Sequence, residues 1–370
     1  MKLKFTLSLI VLAGLGLIGM ESCKNEVDIF APESDVTLIY GLLDASDKVH
    51  QIKINRVFQG TDGVDGLAQD PTVSEYENIE AKLVELSYDG FGNVDTTNIW
   101  PFEESTITNK DSGYFYYPDQ KIYQLEENLD SNKNYMVMVD KLNGSPIVKS
   151  TTELLQVHGD IVIRPIGLQF PGAGLGLCDK DGPIEKITLE LNTPVNAKVM
   201  DVYLDFSYQD EYPNNVMGDT ITLSFYVGQG IVTSVGTEVG KTETIRMELN
   251  PTAFYEFIAA RVPVVEPGDN IVQRIPVNAA LDGPVDFRFI SGGTELNTYI
   301  EVSSPSTSLL ETKPDYTNIE NGIGLWSTRS FDNKWAFLSS FSIDYLVNGE
   351  ITAGRKFCHY TSNTDPNRCY

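Results

Sequence analysis

The chain has 370 residues and a formal net charge of −25, with 41% hydrophobic and 10% aromatic residues. That apolar share fits folded globular matter and excludes a largely disordered chain. The acidity excludes a basic face for nucleic acid and argues against lying flat on anionic lipid. The length exceeds what one ordinary core fills and predicts two domains.

Met1-Lys2-Leu3-Lys4 is basic, and Phe5 to Met20 carries no charge. The apolar run falls short of the ~20 residues that span a bilayer, and its layout is that of a secretory signal. Met20-Glu21-Ser22-Cys23 resembles a bacterial lipobox, although Leu is usual where Met20 stands and Ala or Ser where Glu21 stands. The expectation is a lipoprotein signal peptide over 1–22 and a lipidated Cys23 opening the mature chain. More than one acyl chain, at ~0.8 kcal/mol per buried CH₂, makes such an anchor stable. The alternative is a secreted protein cleaved elsewhere, with Cys23 left as a thiol. Residues 23–34 read as a tether.

The first domain is expected over 35–157. It opens with the strand-like "DVTLIYGLLD" and "HQIKINRVF", and closes with the hairpin "NYMVMVDKLNGSPIVKSTTELL". Its size and strand spacing suit a sandwich. "YMVMV", Tyr135 to Val139, is apolar on both sides and reads as a central strand. Asp89-Gly90, Asn143-Gly144 and Asn348-Gly349 read as hairpin turns, since these pairs accept positive φ. Trp100 and the run Tyr114, Phe115, Tyr116, Tyr117, followed by Tyr123, form an aromatic cluster. Trp100, Tyr114, Tyr116 and Tyr117 are the candidate partner or ligand patch, because Tyr and Trp recur at such surfaces. If the run is a strand, alternate members face the core.

"DIVIRPIGLQFPGAGLGLCDKDGP" reads as a linker into a second β domain, 158–370. There Ile187, Leu189 and Leu191 share one face. So do Val202, Leu204, Phe206 and Tyr208, then Ile221, Leu223, Phe225 and Val227, then Val285, Phe287 and Phe289. Period-two alternation with one dry face predicts antiparallel sheet. One short helix is expected in "NPTAFYEFIAARVP", with Asn250 as cap, Pro251 first, Phe254, Phe257 and Ile258 on one face, and Pro263 beyond. The tail after Gly349 is expected to supply a last strand. Cys358 and Cys369 flank a polar loop and are expected to pair, as an exported chain meets oxidising conditions. Cys178 is then a small buried hydrophobe. The fold class is thus mainly β: two antiparallel, sandwich-like domains.

Catalytic motifs are missing. The three histidines, His50, His158 and His359, stand in no recognisable setting, and no nucleophile elbow, zincin motif or P-loop occurs. "GAGLGL" has Leu177 where a dinucleotide fingerprint needs glycine. "LDSNKN" spaces Asp130, Asn132 and Asn134 like a calcium loop, but Tyr135 stands where Gly is needed and Lys141 where Glu is needed. Asp62, Asp65 and Asp70, like Asp179 and Asp181, read as solvated acidic loops. Adjacent Cys358 and His359 lack the spacing of a zinc pair. No cofactor, metal or catalytic residue is expected.

Taken with the lipobox, the opening "LIYGLLDASDKVHQIKINRVF" and the later "PDYTNIENGIGLWSTRS" resemble a poorly characterised family of two-domain β lipoproteins of the Bacteroidota outer membrane. The resemblance spans roughly Cys23 to Leu346; Trp326 and the Cys358/Cys369 tail depart from it. It implies a surface location, a lipid anchor and association with TonB-dependent transporters or other outer-membrane machines, and brings no catalytic residues. The expected function is that of a non-catalytic accessory subunit. Capture of glycan or peptide ligands is the alternative.

Overall fold

The computed structural model describes residues 35–57, 64–89, 91–113, 115–156, 159–165, 174–232, 242–277, 283–304 and 316–359. The expected signal peptide and tether, Cys23, Tyr114, Cys369 and the expected junction at Val157 and His158 lie outside them. In chain order the elements are β1 (Thr37–Leu43), β2 (Val49–Arg56), α1 (Val64–Ala68), α2 (Pro71–Ser74), β3 (Glu80–Tyr88), β4 (Val94–Pro101), β5 (Glu103–Ile107), β6 (Gln120–Glu126), β7 (Asn134–Asp140) and β8 (Val148–Glu153). Then come β9 (Val162–Arg164), β10 (Cys178–Asp179), β11 (Gly182–Pro183), β12 (Ile187–Asn192), β13 (Val199–Tyr212), β14 (Val216–Ile231), β15 (Thr244–Leu249), α3 (Pro251–Arg261), β16 (Gln273–Pro276), β17 (Val285–Gly292), α4 (Thr294–Ser303), β18 (Gly322–Ala336) and α5 (Ser340–Asn348). The fold is mainly β.

The largest sheet has nine strands in the order β14-β13-β17-β18-β1-β2-β6-β5, with β16 on β13. A four-stranded sheet, β4-β3-β7-β8, and a three-stranded sheet, β15-β12-β9, complete the main layers. Pairing is antiparallel except between β1 and β18, which run parallel from Thr37↔Gly322 to Leu43↔Thr328. β18 then continues into antiparallel pairing with β17, from Gly292↔Arg329 to Val285↔Ala336. One strand therefore carries the sheet from the N-terminal to the C-terminal part of the chain.

The dry faces are those the alternation predicts. Val202, Leu204, Phe206 and Tyr208 are buried, as are Val285, Phe287, Phe289, Ile187, Leu189 and Leu191. β7 is internal in its sheet, with Tyr135, Val137 and Val139 fully buried. β14 departs from the pattern. It ends its sheet, Ile221 is exposed, and Leu223, Phe225 and Val227 are only partly covered.

The expected helix is α3. The Asn250 side chain accepts from the Ala253 N–H at 3.1 Å, Pro251 leads, and Phe254 and Ile258 are buried. The expectation of one helix is corrected by α4 and α5. In α5, Ser342, Ile343 and Leu346 fall at helical spacing on the buried face, and Ser339 caps the first turn. Asn348-Gly349 is consequently a helix end rather than a hairpin turn. Gly349 has φ −65° and donates to the Tyr345 carbonyl at 2.8 Å. Among its described residues the tail adds no strand, only an isolated bridge between Phe357 and Arg274.

Two large apolar cores result among the described residues, beside a small cluster of Ile275, Val277 and Cys358. The C-terminal one is rich in aromatic edges, such as Phe206–Phe254 at 6.3 Å and Phe206–Phe357 at 5.6 Å. The N-terminal one gathers Ile39, Ile52, Ile54, Leu83, Tyr135 and Val137 with Ile319 and Trp326 from far along the chain. Trp326 is 0% exposed and donates its indole N–H to the Tyr135 carbonyl at 3.0 Å. Asn318 clamps its backbone, accepting from the Trp326 N–H at 3.0 Å and donating to its carbonyl at 2.6 Å. Gly41 leaves room for the ring: a Cβ there would stand 2.6 Å from Trp326 Cζ3. Gly324, at φ +118°, lies against the Ile39 carbonyl, where no side chain fits.

Candidate functional site

Alternation along β2 sends Ile52 and Ile54 into the N-terminal core and leaves Lys53, Asn55 and Val57 on the opposite face. Leu38 of β1 sits in register with Asn55. These residues line a cavity of about 420 Å³. Ala68 of α1 and Ser74 and Glu75 beside α2 form one wall, and the β5–β6 connection with Lys110, Phe115, Tyr116 and Asp119 forms another. Asp70 caps α2, accepting from the Thr72 N–H at 2.9 Å. Asn55 Nδ2 donates to the Ser74 carbonyl at 3.0 Å, and the Tyr116 N–H donates to the Ala68 carbonyl at 2.9 Å. The walls are thus tied to the sheet and to each other.

The lining is apolar apart from a concentration of charge. Lys53 Nζ donates to the Lys121 carbonyl at 2.6 Å and lies 3.8 Å from Glu75 Oε1. Burial pushes the Lys53 ammonium below its ordinary pKa; Glu75 opposes that shift, and Lys110 and Lys121 add to it. Lys110 Nζ donates to the Tyr116 carbonyl at 2.8 Å and stands 5.5 Å from the centre of the Phe115 ring. Arg56 lies over the Tyr76 ring at 4.8 Å. Behind the site, burial with Glu104 and Glu75 nearby pushes the Tyr123 phenol up to about 12.

A second feature lies at the β3–β4 hairpin. β4 ends its sheet, with Val94 and Ile99 exposed and Tyr88 exposed opposite Val94. Phe91 is 94% exposed at the tip. The loop is ordered by Asp89, whose Oδ1 accepts from the Phe91 and Asn93 N–H groups, each at 2.8 Å. Asn93 Nδ2 donates to Oδ2 at 2.6 Å, the leading cause of the depressed Asp89 pKa.

Of the four aromatic residues singled out from sequence, the three described do not form one patch. Trp100, on β4, packs half-buried against the N-terminal core. Tyr116 lines the cavity, and Tyr117 beside it is 44% exposed. Tyr114 lies outside the described residues. Sequence reasoning missed Lys53, Lys110 and Glu75, and also Phe91. The last had a legible signal: an aromatic between the glycines of "DGFGN" has no core within reach.

Cys358 is disulfide-bonded, and its partner lies outside the described residues. Cys178 is a free buried thiol that burial pushes up, 3.5 Å from the Tyr255 hydroxyl. Asp130 and Asp179 each accept from the N–H two residues on, at 2.9 and 2.8 Å, and so build turns. Among the described residues no group of three His, Cys, Asp or Glu is arranged to hold a metal ion, and no helix is long and apolar enough to cross a membrane.

No family model matches the chain, and no curated protein matches it. Among solved structures, it is similar to the C-terminal globular domain of an oligosaccharyltransferase from Pyrococcus abyssi, at 11% identity and TM-score 0.17, over 60% of this chain and 42% of that one. The chain therefore spans less than half of that domain's length. It is also similar to CBD12 from CALX1.2, at 7% identity and TM-score 0.16, over 73% of this chain and 88% of that one. Likenesses at these scores carry no argument about fold or function.

Proposed function

We propose that this protein is a lipid-anchored outer-membrane lipoprotein, displayed at the cell surface, that acts as a non-catalytic accessory subunit of a transport, secretion or assembly complex. Its partner is an outer-membrane protein such as a TonB-dependent transporter or a β-barrel machine. The observation that carries this reading is Phe91, a nearly fully exposed aromatic on a loop that Asp89 holds in place. An aromatic anchor ordered before binding forfeits little entropy on docking, and aromatic residues, Phe among them, are enriched in protein interfaces. Val94 and Ile99 on the edge strand β4, with Tyr88 opposite Val94 on β3, extend the apolar surface.

Purification from native membranes in mild detergent tests the docking. The wild type is expected to bring down a β-barrel outer-membrane protein, and Phe91→Ser to lose it. Recovery of the wild type as a lone monomer sinks the reading. The anchor is tested separately: palmitate labelling is expected in the wild type and not in Cys23→Ala. Non-reducing peptide mapping is expected to link Cys358 to Cys369; a link to Cys23 would leave no sulfur there to acylate.

A second reading, capture of glycan or peptide ligands at the surface, is favoured by the cavity beside β1 and β2. Its volume lies in the range of small-ligand sites. Saturable binding on a glycan and peptide array is the expected result; an array without a hit removes it.

A further inference from the structure

We infer that the outer edge of β14 is a self-association surface, where a second copy of this chain adds its own β14 as an antiparallel, two-fold related strand. β14 ends the nine-stranded sheet and pairs with β13 alone. Its register with β13 runs without irregularity from Thr220↔Gln209 to Tyr226↔Tyr203. Further on, Met247 and Ile245 of β15 close against Gly228 and Gly230, so the open edge is Thr220 to Tyr226, "TITLSFY". On the side away from β13 its backbone N–H and C=O groups have no partner among the described residues. Such a row is a template for another strand.

Lack of charge sets this edge apart. Sheets guard their edges with charged side chains, proline or shortness. Among the described edge strands, β4 carries Asp95, β5 Glu104, β8 Lys149 and β15 Arg246, and β9 is only three residues long. Thr220–Tyr226 has neither a charged residue nor a proline, and β-branched and aromatic residues dominate it. A seven-residue window of that kind, left on an edge, pairs readily with its like.

Charge and pairing together favour a second copy as the occupant. The formal net charge of −25 makes two copies repel each other, and an uncharged edge is where that repulsion is least. A two-fold pair centred on Thr222 sets Ile221 opposite Leu223 of the second copy, apolar against apolar, and Thr220 opposite Ser224. In the single chain Ile221 is 38% exposed, and Leu223 and Phe225 are only partly covered. The added strand covers that flank of the C-terminal core. Asp219 is the one charged residue of β14, and in this register the two copies of it stand about 20 Å apart along the pair, beyond a Debye length of ~10 Å. Seven paired residues exchange about six to eight backbone hydrogen bonds, close to the ~10 of a standard interface. The β3–β4 hairpin belongs to another sheet, so this inference does not rest on docking through Phe91.

Light scattering on the purified full chain in mild detergent, with the protein mass resolved from the micelle, tests this. The expected mass is that of two copies, falling to one on dilution. Hydrogen exchange along Thr220–Tyr226 is expected to slow as the concentration rises through that transition. Ile221→Lys acts twice in a two-fold pair and is expected to raise the dissociation constant at least tenfold. Thr222→Lys sets like charges opposite each other at the axis and is expected to raise it at least threefold. Thr222 is exposed, so its variant decides the matter if Ile221→Lys fails to fold. A mass of one copy at every concentration overturns the inference. So does a two-copy mass that neither variant lowers, since the contact then lies at the lipid or on another face. Exchange that slows along the edge only when a purified outer-membrane protein is added assigns the strand to that protein and overturns self-pairing.

Discussion

The two apolar cores are closed by different means. The C-terminal core is sealed by elements close to its own strands: α3 sets Phe254 against Phe206 of β13 and Phe225 of β14, and α5, beside β10 and β11, adds Ile343 and Leu346 to the same cluster. The N-terminal core is sealed by a strand from the other end of the chain, β18, whose Thr328 donates to the Leu43 carbonyl across a separation of 285 residues. Such long-range closure costs loop entropy before any contact repays it. The N-terminal core therefore relies on a few strongly specified contacts at the junction, and the C-terminal core on many distributed ones.

Trp326 is the sharpest way to break that contrast. Truncating a fully buried Trp costs about 3–5 kcal/mol, and the Tyr135 carbonyl also loses its donor. Trp326→Ala is expected to lower stability by that amount in urea denaturation. Hydrogen exchange should speed up along β1, β2 and β7 before β13 and β17. Equal acceleration in both regions would mean that the cores do not differ in the way described.

Arg274 makes the matching test on the other side. It is 2% exposed, donates to Asp210 Oδ1 at 2.8 Å and to the carbonyls of Pro263 and Arg355 at 2.8 and 2.7 Å. Its backbone also joins Lys356 and Cys358, so it fixes the tail where a last strand was expected. Removing one member of a buried pair strands the other. Arg274→Ala is expected to cost about 3 kcal/mol, with exchange rising in β16 and the tail while β1 stays protected.

Asn318 sharpens the comparison at a smaller scale. Its amide satisfies both backbone groups of Trp326. Leaving buried polar groups unpaired costs about 1–3 kcal/mol. Asn318→Ala is expected to show the Trp326→Ala exchange pattern at reduced amplitude.

The contrast also explains what the sequence could reveal. Local devices were legible: alternation in β13 and β17, the Asn250 cap, the central position of β7. α5 was obscured because "SFSIDYLVN" carries alternating apolar residues as well as helical spacing, and the Ser339 cap decides between them. The parallel pairing of β1 with β18 has no local signature, although Gly41 and Gly324 record its steric demand. The cavity was hidden for the same reason. Its floor is the solvent face of β2, which reads as an ordinary polar face until α1, α2 and the β5–β6 connection fold over it.

The smallest effect is expected at Asp286 on β17. Burial leads the causes that push its carboxyl up, with Asp205 and Asp332 adding to it and Asn333 and Arg288 opposing. Its Oδ1 is buried without a hydrogen bond among the described residues, and Asn333 donates to Oδ2 at 3.1 Å. A carboxyl whose folded pKa is raised penalises the folded state once ionised. That penalty is absent well below the ordinary value of 3.8, grows as pH rises through the interval to the raised value, and is constant above it. Asp286→Asn keeps an oxygen for Asn333 and carries no charge. It is expected to stabilise the protein at pH 7 by less than about 1 kcal/mol, since solvent screens a partly exposed group. The gain should shrink to nothing as pH falls below 3.8. A gain that persists in acid would assign the effect to packing on β17 rather than to the charge.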